Sequence, residues 1–107
     1  MAKYTIEIYT DALKDIQDST IWYNEHTENL GSRFQAKVKQ QIGSLKNNPH
    51  IYAIRYSNVR CMLIEKFPFL VHFVIDEVNS KVQVFAIFHT SRNPTIWLKR
   101  KINKRPN

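Results

Sequence analysis

At 107 residues, 43% of them hydrophobic and only two of them glycine, the chain is long enough for one domain with a substantial core and too apolar for a disordered segment. No apolar run approaches the ~20 residues of a bilayer span, and the opening MAKYTIEIYT lacks the apolar centre of a signal peptide, so a cytoplasmic protein with no membrane partner is expected. The 16 lysines and arginines outnumber the 9 aspartates and glutamates, and the resulting +7 predicts attraction to polyanions: nucleic acid, ribosome or an acidic protein.

In chain order, Tyr4, Ile6 and Ile8 alternate with Lys3, Thr5 and Glu7, the pattern of a half-buried strand at a sheet edge. Thr10 and Asp11 read as an N-cap, with Asp11 and Asp15 placed to favour the positive end of the helix dipole. The helix they start runs to about Glu25, with Leu13, Ile16, Thr20 and Tyr23 on its apolar face, widened by Ala12 and Ser19. Trp22 falls beside that stripe and is expected to pack in the core or between helices. After a break from Thr27 to Gly31, Leu30, Phe34, Val38, Ile42 and Leu45 define a second helix, closed by Asn47, Asn48 and Pro49. Its other side carries Arg33, Lys37, Lys39 and Lys46, and the short connection makes the two helices an antiparallel hairpin.

Ile51 to Tyr56 reads as a short strand, Ser57 and Asn58 as a turn, and Val59 to Lys66 as a further strand. By parity this strand puts Arg60, Met62, Ile64 and Lys66 on one face and Val59, Cys61, Leu63 and Glu65 on the other. The stretch from Phe67 to His89 reads as a hairpin of two strands apolar on both sides, hence central, with Val82, Val84, Ala86 and Phe88 on one face and Gln83, Phe85 and Ile87 on the other. Asp76, Asn79 and Ser80 supply the turn. Asn93 and Pro94 start a short terminal helix carrying Ile96 and Trp97, and from about Lys99 the chain becomes a basic, frayed tail. The predicted fold is α+β over residues 1–107: an N-terminal edge strand, an antiparallel helical hairpin packed on a mostly antiparallel sheet in the order β-α-α-β-β-β-β, and a short C-terminal helix.

The four histidines, His26, His50, His72 and His89, lack metal-ligand spacing, and Gly31 and Gly43 stand too far apart for a phosphate loop, so no metal or cofactor is expected. Cys61 has no disulfide partner and reads as a small core residue. What remains is a set at the ends of adjacent strands: Arg60, Lys66, His89 and Arg92, with Tyr56 near. Metal-free RNA cleavage needs a base, a proton donor and cations on the phosphate, which His89, Arg60 and Arg92 are chemically able to supply.

The stretches YTIEIYTDALKDIQDSTIWYNE, LGSRFQAKVKQQIGSLKNNP, VRCMLIEKFPFLVHFVI and VFAIFHTSRNPTIW resemble, in that order and over nearly the full length, the RelE/ParE superfamily of bacterial type II toxins. The WYNE and LGSRF helices and the ending with Arg92, Pro94 and Trp97 look closer to the ParE-like branch, and Thr90 and Ser91 stand where several ribonuclease members have a catalytic tyrosine. The resemblance implies a toxin held inactive by a cognate antitoxin, small and acidic, that folds as it binds in a hetero-oligomer. It implies one of two activities: ParE-like binding and poisoning of DNA gyrase without enzymatic chemistry, or RelE-like cleavage of messenger RNA on the ribosome. The first is the leading expectation, with Arg60, Lys66, Arg92, Trp97, Lys99 and Arg100 as the target-binding surface. The second would use Arg60 and Arg92 on phosphate and His89 as acid or base. A non-toxic module binding nucleic acid or protein is the third.

Overall fold

The computed structural model describes residues 3–103. The chain runs β1 (Thr5–Ile8), α1 (Thr10–His26), α2 (Leu30–Ser44), a single 3-10 turn (Pro49–Ile51), β2 (Ile54–Tyr56), β3 (Val59–Leu63), β4 (Phe69–Asp76), β5 (Lys81–His89) and α3 (Pro94–Asn103). The sheet order is β1-β5-β4-β3-β2, with β1 parallel to β5 and every other pair antiparallel. The expected α+β order is therefore found, with β1 on an edge and the β4–β5 hairpin central.

The helical hairpin covers one face of the sheet and α3 the other. Ala12 and Ile16 of α1 with Phe34, Val38 and Ile42 of α2 pack on Met62, Val71, Phe73, Val82, Val84 and Ile87. On the opposite face Val59, Cys61, Leu70, Phe85, Ala86 and Phe88 are closed off by Tyr9 and Trp97. The hairpin closes tightly because residue 31 is glycine: a Cβ there would stand 2.0 Å from the Thr20 carbonyl oxygen. The Gly31 N–H donates to Asn24 Oδ1 at 2.7 Å, joining the two helices directly.

Local differences from the sequence reading have physical causes. Tyr9, not Thr10, occupies the N-cap position of α1, because its extended backbone continues β1 and its N–H donates to the Val84 carbonyl. Leu13 and Trp22 are 52% and 54% exposed, since the buried stripe of α1 centres on Ala12 and Ile16. The segment after Pro49 is first a 3-10 turn, so β2 is only three residues long. β3 stops at Leu63: the chain turns through Lys66, whose φ of 71° no strand tolerates, so Lys66 and Glu65 do not belong to the strand faces assigned by parity. The basic C-terminal segment stays helical to Asn103, and the tail expected beyond it lies outside the described residues.

The difference that matters most is in β5. Its register against β4 jumps between His72↔Ala86 and Phe73↔Val84, leaving Phe85 as an extra residue. Such a bulge reverses the facing of everything beyond it. Val82 and Val84 face the helices before the bulge, and Ile87 faces them after it, whereas Ala86 and Phe88 face α3. The single alternation expected through Val82, Val84, Ala86 and Phe88 is thus broken, and His89 lands on the α1 side.

Candidate functional site

The bulge brings His89 into a cleft of about 310 Å³ that it lines with Ser19, Trp22, Tyr23 and Phe69. The cleft continues past Asp18 and Arg92 at the end of the sheet. The His89 ring meets Phe69 edge-on at 5.2 Å between centroids, and the exposed Trp22 indole stacks on His26 at 3.9 Å and 26°. His26 sits one helical turn after Trp22, and its Nδ1 donates to the Trp22 carbonyl at 2.7 Å, which fixes the imidazole under the indole.

The tautomer of His89 follows from its partners. Its Nδ1 accepts from the Ser91 backbone N–H at 3.0 Å and lies 2.8 Å from the Ser91 hydroxyl. A backbone N–H only donates, so Nδ1 must hold its lone pair, and the neutral ring carries its proton on Nε2. In this arrangement the ring offers Nε2–H as a hydrogen-bond donor.

The other residues singled out in the sequence scatter over the molecule. Arg92 sits beside His89, its guanidinium 5.8 Å from the centre of the Phe88 ring. Lys66 edges a separate groove of about 480 Å³ lined by Leu30, Arg33, Ala36, Lys37, Gln40 and Phe67. Arg60 is elsewhere: it is in register with Phe73, whereas His89 is opposite Phe69, four residues away along β4 and so roughly 13 Å apart in strand rise alone. Its Nη1 donates to the Tyr52 carbonyl at 2.7 Å and to that of His50 at 3.5 Å, tying the 3-10 turn to β3.

Trp97 is 9% exposed and lies against His72 and Tyr56, with ring centroids 4.7 and 5.7 Å away. Arg100 Nη1 and Nη2 donate to the Asp15 carboxylate at 2.9 and 3.2 Å, and Nη1 also donates to the Phe85 carbonyl. Lys99 lines a shallow hollow with Asp11 and Ile96. Glu65, beyond the end of β3, pairs with Lys37 at 3.3 Å. Among the described residues, no ion pair engages Lys66, Arg92 or Lys99.

Two polar clusters had no signal in the sequence, because their members are far apart in the chain. Buried His72 places Nδ1 2.9 Å from the Tyr56 hydroxyl and 3.5 Å from Cys61 Sγ. Burial, reinforced by Arg55 and Arg100, lowers the His72 pKa to about 4, and burial pushes the Cys61 thiol up to about 11. At the far end of the sheet Glu77 accepts from Tyr4 Oη at 2.9 Å and lies 2.6 Å from His50 Nε2, contacts that hold its carboxyl below the usual range. Among the described residues no group of three or more His, Cys, Asp or Glu side chains is disposed to hold a metal ion, and no helix is long and apolar enough to cross a membrane.

Residues 6–94 match the family model described as the ParE toxin of the type II toxin-antitoxin system parDE. No curated protein matches by sequence. The fold is similar to that in the chromosomal ParDE toxin-antitoxin system from P. aeruginosa, at 15% identity and a TM-score of 0.74 over 83% of this chain and 98% of that one. It is also similar to a mutant of the E. coli toxin RelE in the free state (13% identity, TM-score 0.69, 97% and 100% covered). The toxin-antitoxin complex RelBE2 from Mycobacterium tuberculosis is a further likeness (18% identity, TM-score 0.61, 81% and 98% covered). With the family model spanning both helices of the hairpin and all five strands, the chain belongs to the ParE toxins of type II toxin-antitoxin systems, within the RelE/ParE superfamily.

Proposed function

We propose that this toxin arrests growth by binding DNA gyrase, without nuclease chemistry of its own. The observation that carries this reading is the separation of Arg60 from His89. Attack by a ribose 2′-hydroxyl needs the phosphate clamp and the proton-transfer group on one scissile bond. Here Arg60, opposite Phe73 midway along β4, is engaged by the Tyr52 carbonyl, while His89, opposite Phe69 at the start of β4, has its Nδ1 taken by Ser91. Asp15 and Asp18 beside Arg92 also disfavour a phosphate at that position. Lys66, Arg92 and Lys99 are the cations left available for a macromolecular target, with Trp97 and Arg100 holding α3 in place behind them.

The same reading supplies a partner. The groove of Leu30, Ala36 and Phe67 is rimmed by Arg33, Lys37 and Lys66, which suits an acidic amphipathic helix of a cognate antitoxin. The test is a supercoiling assay with antitoxin-free protein and cognate gyrase, scoring trapped cleavage complexes. Stoichiometric inhibition that added antitoxin reverses supports the proposal. Full gyrase activity together with cleavage of ribosome-bound messenger RNA by the same preparation would transfer the reading to the nuclease branch.

A further inference from the structure

The cleft beneath Trp22 has a chemistry that gyrase inhibition does not use. Trp22 is the largest exposed aromatic on α1, and the His26 stack and hydrogen bond hold its neighbourhood rigid in advance. Phe69 and Tyr23 form the apolar floor and wall, and their rings meet edge-on at 6.1 Å. A pocket of about 310 Å³ with aromatic walls takes a planar ligand. Flat heteroaromatic bases stack on such walls.

The polar groups at the rim say which base. His89 presents an N–H donor, because Ser91 occupies its other ring nitrogen. Asp15 is already neutralised by Arg100, whereas Asp18 carries no ion pair among the described residues and is exposed beside Trp22. The rim therefore offers one fixed donor and one carboxylate acceptor. Guanine is the base whose edge answers both, with O6 as acceptor next to N1–H and N2–H, which a carboxylate accepts together. Adenine and the pyrimidines lack that adjacent pair of donors.

We propose that this cleft binds a guanine base, stacked on Trp22 and read by Asp18 and His89. The base can come from a free nucleotide or from a single-stranded nucleic acid, and the chemistry is the same for both. The test uses the purified full chain and follows indole fluorescence and the indole N–H resonance of Trp22 during titration with GMP, AMP and a short guanine-containing single strand.

Saturable quenching by GMP, or by the single strand alone, is the expected result, and which of the two acts identifies the source. Asp18→Asn, an exposed change that leaves the fold intact, is expected to weaken guanine binding about tenfold while AMP is unaffected, as one charge-assisted contact pair is lost. Trp22→Leu, which removes that probe, is followed by calorimetry against the parent chain and is expected to abolish binding, with circular dichroism and melting confirming that the variant folds. No perturbation of Trp22 by millimolar GMP or by the single strand overturns the proposal, and so does equal loss of GMP and AMP in Asp18→Asn.

Discussion

Asp15 and Arg100 meet where β1 runs out, and together they replace the missing strand. β1 pairs with β5 only from Lys81 to Val84, which leaves the outer edge of β5 without a strand partner just past the Tyr9 contact. Asp15 Oδ2 accepts the Ile87 N–H at 2.9 Å and Arg100 Nη1 donates to the Phe85 carbonyl at 3.1 Å, so an ion pair completes the ladder that backbone would otherwise make. α1 and α3 are thereby fastened to the same stretch of sheet from opposite faces.

Because Asp15 serves Ile87 and Arg100 at once, its removal strands a largely buried guanidinium and a backbone N–H. The side chains of Arg100 and Asp15 are 22% and 17% exposed, enough burial for the loss to exceed that of a surface pair. Asp15→Ala is expected to cost about 2–4 kcal/mol in urea unfolding. A double-mutant cycle with Arg100→Met should show strong coupling; additive losses would mean that the two side chains act separately.

The far edge of the sheet has a matching device. β2 covers β3 only at Val59 and Arg60, and beyond it Gln41 reaches down from α2, donating to the Leu63 carbonyl at 3.1 Å and accepting the Glu65 N–H at 2.6 Å. A side-chain amide has the donor and acceptor of a peptide unit, and no charged residue of similar length does. Gln41→Glu is therefore expected to lose about 1–2 kcal/mol, since the carboxylate faces the Leu63 carbonyl without a proton. Thermal melting near pH 7 measures it, and a melting temperature equal to that of the parent chain would remove Gln41 from any edge-closing role.

Much of this architecture is legible in the residues. Alternation at Tyr4, Ile6 and Ile8, the helical stripe from Phe34 to Ile42, and the doubly apolar β4 and β5 are enough to write the order of elements and to make the last hairpin central. The sidedness of His89 is not legible. From Phe85 to Phe88 every residue is apolar, so periodicity is silent about the bulge that reverses the strand's faces. The distance between Arg60 and His89 is hidden for a related reason: both lie at the end of a strand in the sequence, and only the register shows Arg60 opposite Phe73, midway along β4, and His89 opposite Phe69 at its start. Trp22 adjoins the apolar stripe in the sequence, yet a helix face is set by angle, and the indole falls on the flank that opens onto the cleft.

His72 makes stability depend on pH in a defined direction. It is fully buried and its pKa falls from 6.5 to about 4, so between these values the unfolded chain binds a proton that the folded chain does not. Its contribution is complete above the ordinary value and is lost as pH falls through that window, by roughly 3 kcal/mol. Denaturant titrations at pH 7 and pH 4 should show this loss in the parent chain and its reduction by a similar amount in His72→Phe. An unchanged pH slope in the variant would place the acid sensitivity elsewhere.

The role of His89 separates the two activities of the superfamily. A general acid or base must exchange a proton with the reacting atoms, whereas a donor needs only to keep its N–H. Gln at position 89 retains an N–H donor and cannot titrate. If the toxin acts on gyrase through its surface, His89→Gln is expected to inhibit supercoiling within about threefold of the parent, a change of well under 1 kcal/mol. Arg92→Glu, which reverses an exposed charge beside it, is expected to weaken inhibition about tenfold or more and to make what remains less sensitive to salt. The opposite pattern, toxicity abolished by His89→Gln with the protein still folded and gyrase untouched by the parent, would mean that the imidazole takes part in the chemistry. Cleavage of ribosome-bound message by its own ribose 2′-hydroxyl would then be the activity to measure.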